Sequence, residues 1–434
     1  MEFPKDKPDT LCMAPWTHTY LSPQTERRLC CASREPAQSF EQYIDTSAGS
    51  GKYTPLTLDQ HWNSDHMKSV RRRMMAGETL PECEVCNDKL LNTSVYRSYF
   101  WSMFGHKYES IRETTDADGA TSMLPVSWDY RFSNLCNFKC RMCGDMLSSS
   151  WESEQRQHDM IHWANPKNNW MRPEIRKDIA AFQDQQVEAE FALAVEEHRI
   201  EEVYWVGGEP LMYEQHWRYM QRIVELGDGP RIYARYNTNL SRVNYRGVDL
   251  FDSILSKIRD WQICASLDGT GQIGEYIRTG LNYAEWRNNY DRAVAARTNR
   301  RQVRIDFTLT LPGMFEVANV VRLAQETNSD ILAKVVFSFT PDIVMSPLAL
   351  PRELLDPWLD ELITTCSGEM HNILVQLKSR PVFSEQWPDT WQQGLVAGKR
   401  RVLKLEQIRN DKFTMADILA ARPEILTWWN QIDS

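Results

Sequence analysis

The sequence has no apolar run approaching the ~20 residues that a membrane-spanning helix needs. Its first residues, MEFPKDKPDTLCMAPW, lack the basic stretch followed by an apolar core that marks a secretory signal. Both absences lead to the expectation of a cytoplasmic protein with no membrane partner. Positive charge is in deficit as well: 50 lysines and arginines face 59 aspartates and glutamates, a net charge of −9. That balance argues against non-specific binding to nucleic-acid phosphates. The two local basic runs, Arg71-Arg72-Arg73 and Lys399-Arg400-Arg401, are expected on solvated helix faces. There is no internal repeat, and no obvious peptide-docking winged helix at either end.

With 42% hydrophobic and 25% charged residues, the 434-residue chain suits one main folded domain with smaller attachments. Its ten cysteines are unevenly placed. Cys12, Cys30, Cys31, Cys83 and Cys86 lie in the first 86 residues, Cys136, Cys140 and Cys143 fall within eight, and Cys264 and Cys366 stand alone. In a reducing compartment, clustered thiols read as metal ligands rather than disulfides.

Residues 1–118 are polar and turn-rich, with short strand-like pieces and one helix expected from about His61 to Met75. The stretch from Ser110 to Ser122 reads as a linker. After it, strands alternate with helices. VSWDYRF (126–132), EEVYWV (201–206), RIYARYN (231–237), WQICASL (261–267), VRIDFTLTL (303–311) and AKVVFSFT (333–340) read as strands. Helical stretches fall near 145–163, 211–226, 248–258, 283–297 and 316–327, with a polar helical insertion at about 164–200. This alternation implies parallel βαβ units with right-handed crossovers. The expected division is a cysteine-rich α+β module with linker (1–118), an α/β domain (119–345) and a C-terminal helical extension (346–434).

Strand parity adds detail. Ile305, Phe307, Leu309 and Leu311 share one face, while Arg304, Asp306, Thr308 and Thr310 share the other. If the apolar face meets the crossover helices, the polar face lines an interior, as in an open or wide barrel holding a polar ligand; the alternative is a solvent-facing sheet. Lys334, Ser338, Thr340, Gln262, Cys264 and Ser266 are expected to point inward too.

LCNFKCRMC places three thiols in a C-x3-C-x2-C loop directly after the first of these strands. Iron–sulfur clusters are usually closed by four thiolates, so three leave one iron for an outside ligand, as open catalytic metal sites do. Zinc is the rival, but no histidine or fourth thiol follows closely. The second strand ends in Gly207-Gly208-Glu209-Pro210 and the fourth in Ser266-Leu267-Asp268-Gly269, with Arg278 just beyond in EYIRTG.

In these motifs, over residues 124–345, the sequence resembles the radical S-adenosylmethionine (SAM) superfamily. The resemblance implies a partial (β/α)6 TIM-like barrel with its site at the C-terminal strand ends. It implies a [4Fe-4S] cluster on Cys136, Cys140 and Cys143 that binds SAM and cleaves it reductively to a 5′-deoxyadenosyl radical, which abstracts a substrate hydrogen. The GGEP turn would hold the SAM ammonium, glycines allowing close backbone approach and Glu209 supplying charge. Ser266 and Asp268 would meet the ribose and Arg278 the carboxylate. Met142, Pro210 and Asn237 would add cofactor contacts; Leu240 stands where relatives carry the glycine after YNTN. A low-potential electron donor such as flavodoxin or ferredoxin is the implied partner.

The N-terminal cysteines resemble the SPASM or Twitch module that holds an auxiliary [4Fe-4S] cluster in such enzymes, with CMAPW, Cys30-Cys31, Trp62 in a helix, and PECEVC. The module stands before the barrel here, and Gln24-Thr25 replaces the usual Asp-Gly turn. By position Cys12, Cys30, Cys83 and Cys86 are the expected ligands, with Cys31 a spare or alternative. A structural zinc knot on the same thiols is the competing reading. Cys264 is either a hydrogen donor or a small buried hydrophobe, Cys366 structural, and Asp306 and Lys334 either lumen groups or an internal ion pair. Trp128, Trp151, Trp163, Trp170 and Trp205 either line a cleft or pack the core.

SPASM- and Twitch-bearing relatives often modify ribosomal peptides, so a peptide or protein side chain is the leading substrate expectation. A small metabolite such as a sugar or nucleotide is the alternative, and a zinc-stabilised non-catalytic binding protein is the reading from another class.

Overall fold

The computed structural model describes residues 7–33, 44–45, 52–53, 55–87, 95–336 and 340–433. Its strands are β1 (His18–Leu21), β2 (Arg27–Arg28), β3 (Ile44–Asp45), β4 (Lys52–Tyr53), β5 (Ser127–Tyr130), β6 (Glu202–Trp205), β7 (Tyr233–Thr238), β8 (Asn244–Tyr245), β9 (Val248–Asp249), β10 (Asp260–Ser266), β11 (Val303–Leu309) and β12 (Asp330–Val335). The six expected strands are β5, β6, β7, β10, β11 and β12. The fold is mixed α/β with parallel strand pairing at β1–β5, β5–β6, β10–β11 and β11–β12. None of the described helices is long and apolar enough to cross a membrane.

The chain divides into two compact units, residues 1–136, 145–235 and 252–261 in the first and 137–144, 236–251 and 262–434 in the second. This division does not follow the boundaries expected at 118/119 and 345/346. In the first unit the strand order is β6-β5-β1-β2. The N-terminal β1 pairs parallel with β5, His18 opposite Ser127 and Leu21 opposite Tyr130, so residues 1–118 give a strand to the sheet of the α/β domain. The expected linker is also structured. Helix 108–114 covers its start, and Asp116 N–H donates to the Ala120 carbonyl at 2.8 Å. Trp16 Nε1 donates to Thr115 Oγ1 at 2.8 Å, and Asn63 Oδ1 accepts from Thr121 N–H at 3.1 Å.

The helix expected over 61–75 is two helices, 58–62 and 65–75, because Ser64 caps the second by accepting from Met67 N–H at 3.3 Å. Met67, Val70 and Met74 of the second pack with Leu11, Met13, Trp16 and Phe100 in a core of this region. Arg71, expected in solvent, is fully buried: its guanidinium lies 4.8 Å from the Trp62 ring and its Nε donates to the Pro15 carbonyl at 2.8 Å. A charged group tolerates that burial because a carbonyl and an aromatic face replace its water.

The insertion is helical, with helices 173–182 and 188–196 joined by a π-helical stretch over 183–187. Phe191 meets Trp128, Phe132, Trp205 and Tyr219 at ring distances of 5.7, 5.4, 5.7 and 5.1 Å. Truncation of such a fully buried ring to alanine costs about 3–5 kcal/mol. Trp128, Trp151, Trp170 and Trp205 are core residues, whereas Trp163 is 40% exposed.

In the second unit β10, β11 and β12 are neighbours in that order. Ile305, Phe307, Leu309 and Leu311 are fully buried on one face, as the alternation requires. On the other face Asp306 accepts from Asn237 Nδ2 at 3.0 Å and pairs with Lys334 Nζ at 2.9 Å, so the two charged groups form an ion pair. Thr340, expected inward on the last strand, is exposed past its end at Val335, and Ser338 lies outside the described residues. The 248–258 stretch, expected as a helix, forms β9 followed by a π turn over 250–254 and a 3-10 turn over 255–257. C-terminal helices span 352–365, 368–378, 383–386, 391–409, 415–419 and 423–431. Helix 368–378 packs on β12, which joins the expected extension to the sheet. Lys399 is buried rather than solvated, its Nζ donating to the Trp429 and Ile432 carbonyls at 2.9 and 2.7 Å and so capping the last helix.

Candidate functional site

In the first unit, β5 runs into residues 131–136 and β6 into the GGEP turn. The two segments are pressed together. Glu209 N–H donates to the Leu135 carbonyl at 2.7 Å, and a Cβ added to Gly208 would lie 2.2 Å from that same oxygen. Gly207 holds φ +129°, a backbone that L side chains rarely adopt. Tyr213, buried, accepts from Gly208 N–H at 2.7 Å and donates to the Ser133 carbonyl at 2.6 Å. Sequence reasoning missed this residue; its only signal was a tyrosine three places after Pro210. Glu209 is 1% exposed, and its Oε1 accepts from Leu211 N–H at 3.0 Å.

In the second unit, Cys140 and Cys143 sit on a loop fastened by backbone bonds. Lys139 and Arg141 N–H groups each donate at 2.8 Å, to the Thr279 and Ile277 carbonyls. Arg141 lies 3.8 Å from the Tyr276 ring and pairs with Asp411. Between those carbonyls stands Arg278, whose Nε lies 2.7 Å from Asp268 Oδ2 and whose Nη1 lies 3.9 Å from Cys140 Sγ. Asp268 Oδ1 accepts from Thr308 N–H at 2.8 Å. Burial pushes the Asp268 carboxyl up, and Arg278 opposes it. Burial likewise pushes the Cys140 thiol up to about 12, again against Arg278. Asn239 Nδ2 donates to Asn137 Oδ1 at 3.0 Å. Leu240 holds a left-handed backbone at φ +54°, a conformation that favours glycine. Ser266 lies opposite Asp306 in the β10–β11 register. Met142 is half-buried beside Cys143 in the chain.

Cys264 is buried, and Arg304 Nε donates to its sulfur at 3.0 Å. Cys366 is half-buried, just after helix 352–365.

The N-terminal thiols of the first unit converge. Cys12, Cys30, Cys83 and Cys86 line one small cavity of about 20 Å³, with Tyr96, Arg97 and Phe100 also on its wall. Cys31 is absent from that wall; its thiol is hydrogen-bonded to Tyr96 and lies near Asp129 and Arg131. Ala14 N–H donates to Cys12 Sγ at 3.5 Å, while burial pushes that thiol up to about 12. A ligand that takes these sulfurs as thiolates must displace their protons. Thr25, in place of the expected glycine, holds φ +67°, and Gln24 Nε2 donates to the Met146 carbonyl at 2.8 Å. Among the described residues, no three His, Cys, Asp or Glu side chains are grouped to hold a single metal ion.

Residues 130–323 match the family model described as the radical SAM superfamily. No curated protein matches the chain. Among solved structures, Streptococcus suis SuiB bound to S-adenosylmethionine is similar with a TM-score of 0.34 and 16% identity, over 66% of this chain and 64% of that one. SuiB alone gives 0.34 and 14%, over 66% and 63%. SuiB bound to the precursor peptide SuiA gives 0.33 and 14%, over 72% and 73%. The chain thus spans about 64% of the length of the first of these structures.

Proposed function

We propose that this enzyme, which carries a radical SAM domain over residues 130–323, cleaves SAM at a [4Fe-4S] cluster on Cys136, Cys140 and Cys143. The observation that carries the reading is the contact between Gly208 and Leu135: the turn lies so close to the residue before Cys136 that no side chain fits between them. The donor set fits the group, since three thiolates from one loop leave a cluster iron for an outside ligand. When bound, the cluster and SAM supply a 5′-deoxyadenosyl radical that takes a hydrogen from the substrate. The six expected strands are read as a partial (β/α)6 barrel.

The chain's own residues bind and orient. Glu209 would meet the SAM ammonium with a charge-assisted bond, Ser266 and Asp268 the ribose, and Arg278 the carboxylate, with Gly207, Pro210, Met142 and Asn237 shaping the pocket. Asp268 already fixes Arg278 through their 2.7 Å pair, which cuts the ordering cost on binding. Cys12, Cys30, Cys83 and Cys86 are read as ligands of a second [4Fe-4S] cluster in a SPASM- or Twitch-like module, and their common cavity supports this. Peptide or protein side chains are the proposed substrates, by resemblance of that module to the one in peptide-modifying relatives. Flavodoxin or ferredoxin is the proposed donor, in the cytoplasm.

The test is anaerobic reconstitution followed by dithionite and SAM. Brown protein with roughly eight irons per chain, an electron paramagnetic resonance (EPR) signal altered by SAM, and 5′-deoxyadenosine by mass spectrometry are expected. A reduced spectrum indifferent to SAM, with no 5′-deoxyadenosine, would overturn the assignment. Zinc in place of half the iron would make the N-terminal site a structural knot.

A further inference from the structure

We infer that Tyr213 is a positioning residue that ties the GGEP turn to the segment delivering Cys136, so that its hydroxyl sets the affinity for SAM; this rests on the reading of the site given above. Residues 133–136 have every backbone carbonyl engaged, and the partners alternate. Ser133 O accepts from the Tyr213 hydroxyl at 2.6 Å and Leu135 O from Glu209 N–H at 2.7 Å, both groups of the GGEP side. Asn134 O accepts from Ser149 N–H at 2.7 Å and Cys136 O from Ser150 Oγ at 2.7 Å, both at the start of helix 149–157. Bonds from the turn and bonds from the helix thus fall on alternate residues of the segment. The segment is therefore clamped from two directions, one side carrying the turn and the other a helix.

The two clamps have different work. On the helix side, Ser149 Oγ also accepts from Cys136 N–H at 3.2 Å, so this side fixes the peptide groups of the first cluster cysteine itself. On the turn side the bonds reach Ser133 and Leu135, not Cys136. They hold Gly207 and Gly208 against the segment, where Gly208 N–H has Tyr213 as acceptor. One buried hydroxyl thus satisfies a donor on the turn and an acceptor on the segment. Removing it leaves both part-buried groups without that partner, and the turn is free to shift. A shift there moves the groups proposed to meet the SAM ammonium while the cysteine peptides stay fixed.

The experiment compares Tyr213→Phe with Ser150→Ala in the reconstituted full-length protein. Iron content and SAM affinity are measured, the latter by titrating SAM into the reduced protein and following the EPR change. Tyr213→Phe is expected to keep wild-type iron and to bind SAM roughly tenfold more weakly. Ser150→Ala is expected to lose iron faster on exposure to air, with unchanged SAM affinity in the clusters that remain. Unchanged SAM affinity in Tyr213→Phe, or loss of iron from it, overturns the inference. If Tyr213→Phe does not fold, 3,5-difluorotyrosine at position 213 keeps both partners and alters only the strength of the hydroxyl; SAM affinity must then change with it. A wild-type spectrum that ignores SAM would instead sink the reading of the whole site.

Discussion

Cys136, Cys140 and Cys143 lie within eight residues of one another in the sequence, whereas Cys12, Cys30 and the Cys83/Cys86 pair are drawn to one cavity from three separate places between residues 12 and 86. In the loop, the three cysteines are neighbours in the chain itself, and backbone bonds at Cys136, Lys139 and Arg141 fasten the segments that carry them. In the N-terminal cavity only Cys83 and Cys86 are gathered locally. The four thiols meet because Leu11, Met13, Trp16, Met74 and Phe100 pack into one core around them. A ligand set fixed by connectivity tolerates distant change; one fixed by packing depends on the fold being complete.

Substitutions can break or sharpen this contrast. The largest effect is expected from replacing Cys136, Cys140 and Cys143 together by alanine: 5′-deoxyadenosine should fall to background by mass spectrometry while the metal proposed for the N-terminal cavity stays. Gly208→Ala comes next. Its Cβ would stand 2.2 Å from the Leu135 carbonyl, and a displaced turn should cost SAM cleavage about 100-fold with little loss of N-terminal metal. Asp268→Asn leaves Arg278 without its anionic partner, and the KM for SAM should rise roughly tenfold, more than kcat falls. Cys83→Ala with Cys86→Ala should remove about half of the iron, leaving the EPR response to SAM intact. Cys31→Ala should leave the iron unchanged; a loss there, with none in Cys30→Ala, would reassign the fourth ligand.

Acid gives the smallest effect. Burial holds His61, in the N-terminal region, and His216, in the helix that follows the GGEP turn, at a pKa of about 3, below the ordinary 6.5. Each is therefore neutral in the fold and takes a proton more readily when unfolded. The stability each contributes is full above pH 6.5 and is lost as pH falls from 6.5 toward 3, by at most about 1.4 kcal/mol per pH unit per histidine. The melting temperature should drop between pH 7 and pH 5, and His216→Phe should flatten that slope.

Much of the parallel-strand region was legible, because alternation along VRIDFTLTL and the turns after each strand are short-range signals. The expected linker misled for the opposite reason. Its polar composition suits a turn, but Trp16 and Asn63, far away in sequence, hold that turn in place. Arg71 and Lys399 misled likewise, since charge predicts solvent only where no carbonyl waits inside. Thr25 and Leu240, neither of them glycine, hold a left-handed backbone. A residue name did not reveal that.

The amino-acid order by itself determined the cysteine spacing of the loop, the glycine turn, SLDG with Arg278, and the strands that end in them. Each is a property of a few neighbouring residues, where local geometry suffices. Tertiary structure alone decided that β1 joins the sheet beside β5, that Tyr213 bridges the GGEP turn and Ser133, and that Cys30 rather than its neighbour Cys31 faces the cavity. Adjacent side chains point different ways, and which of them meets a distant partner depends on what packs against each side.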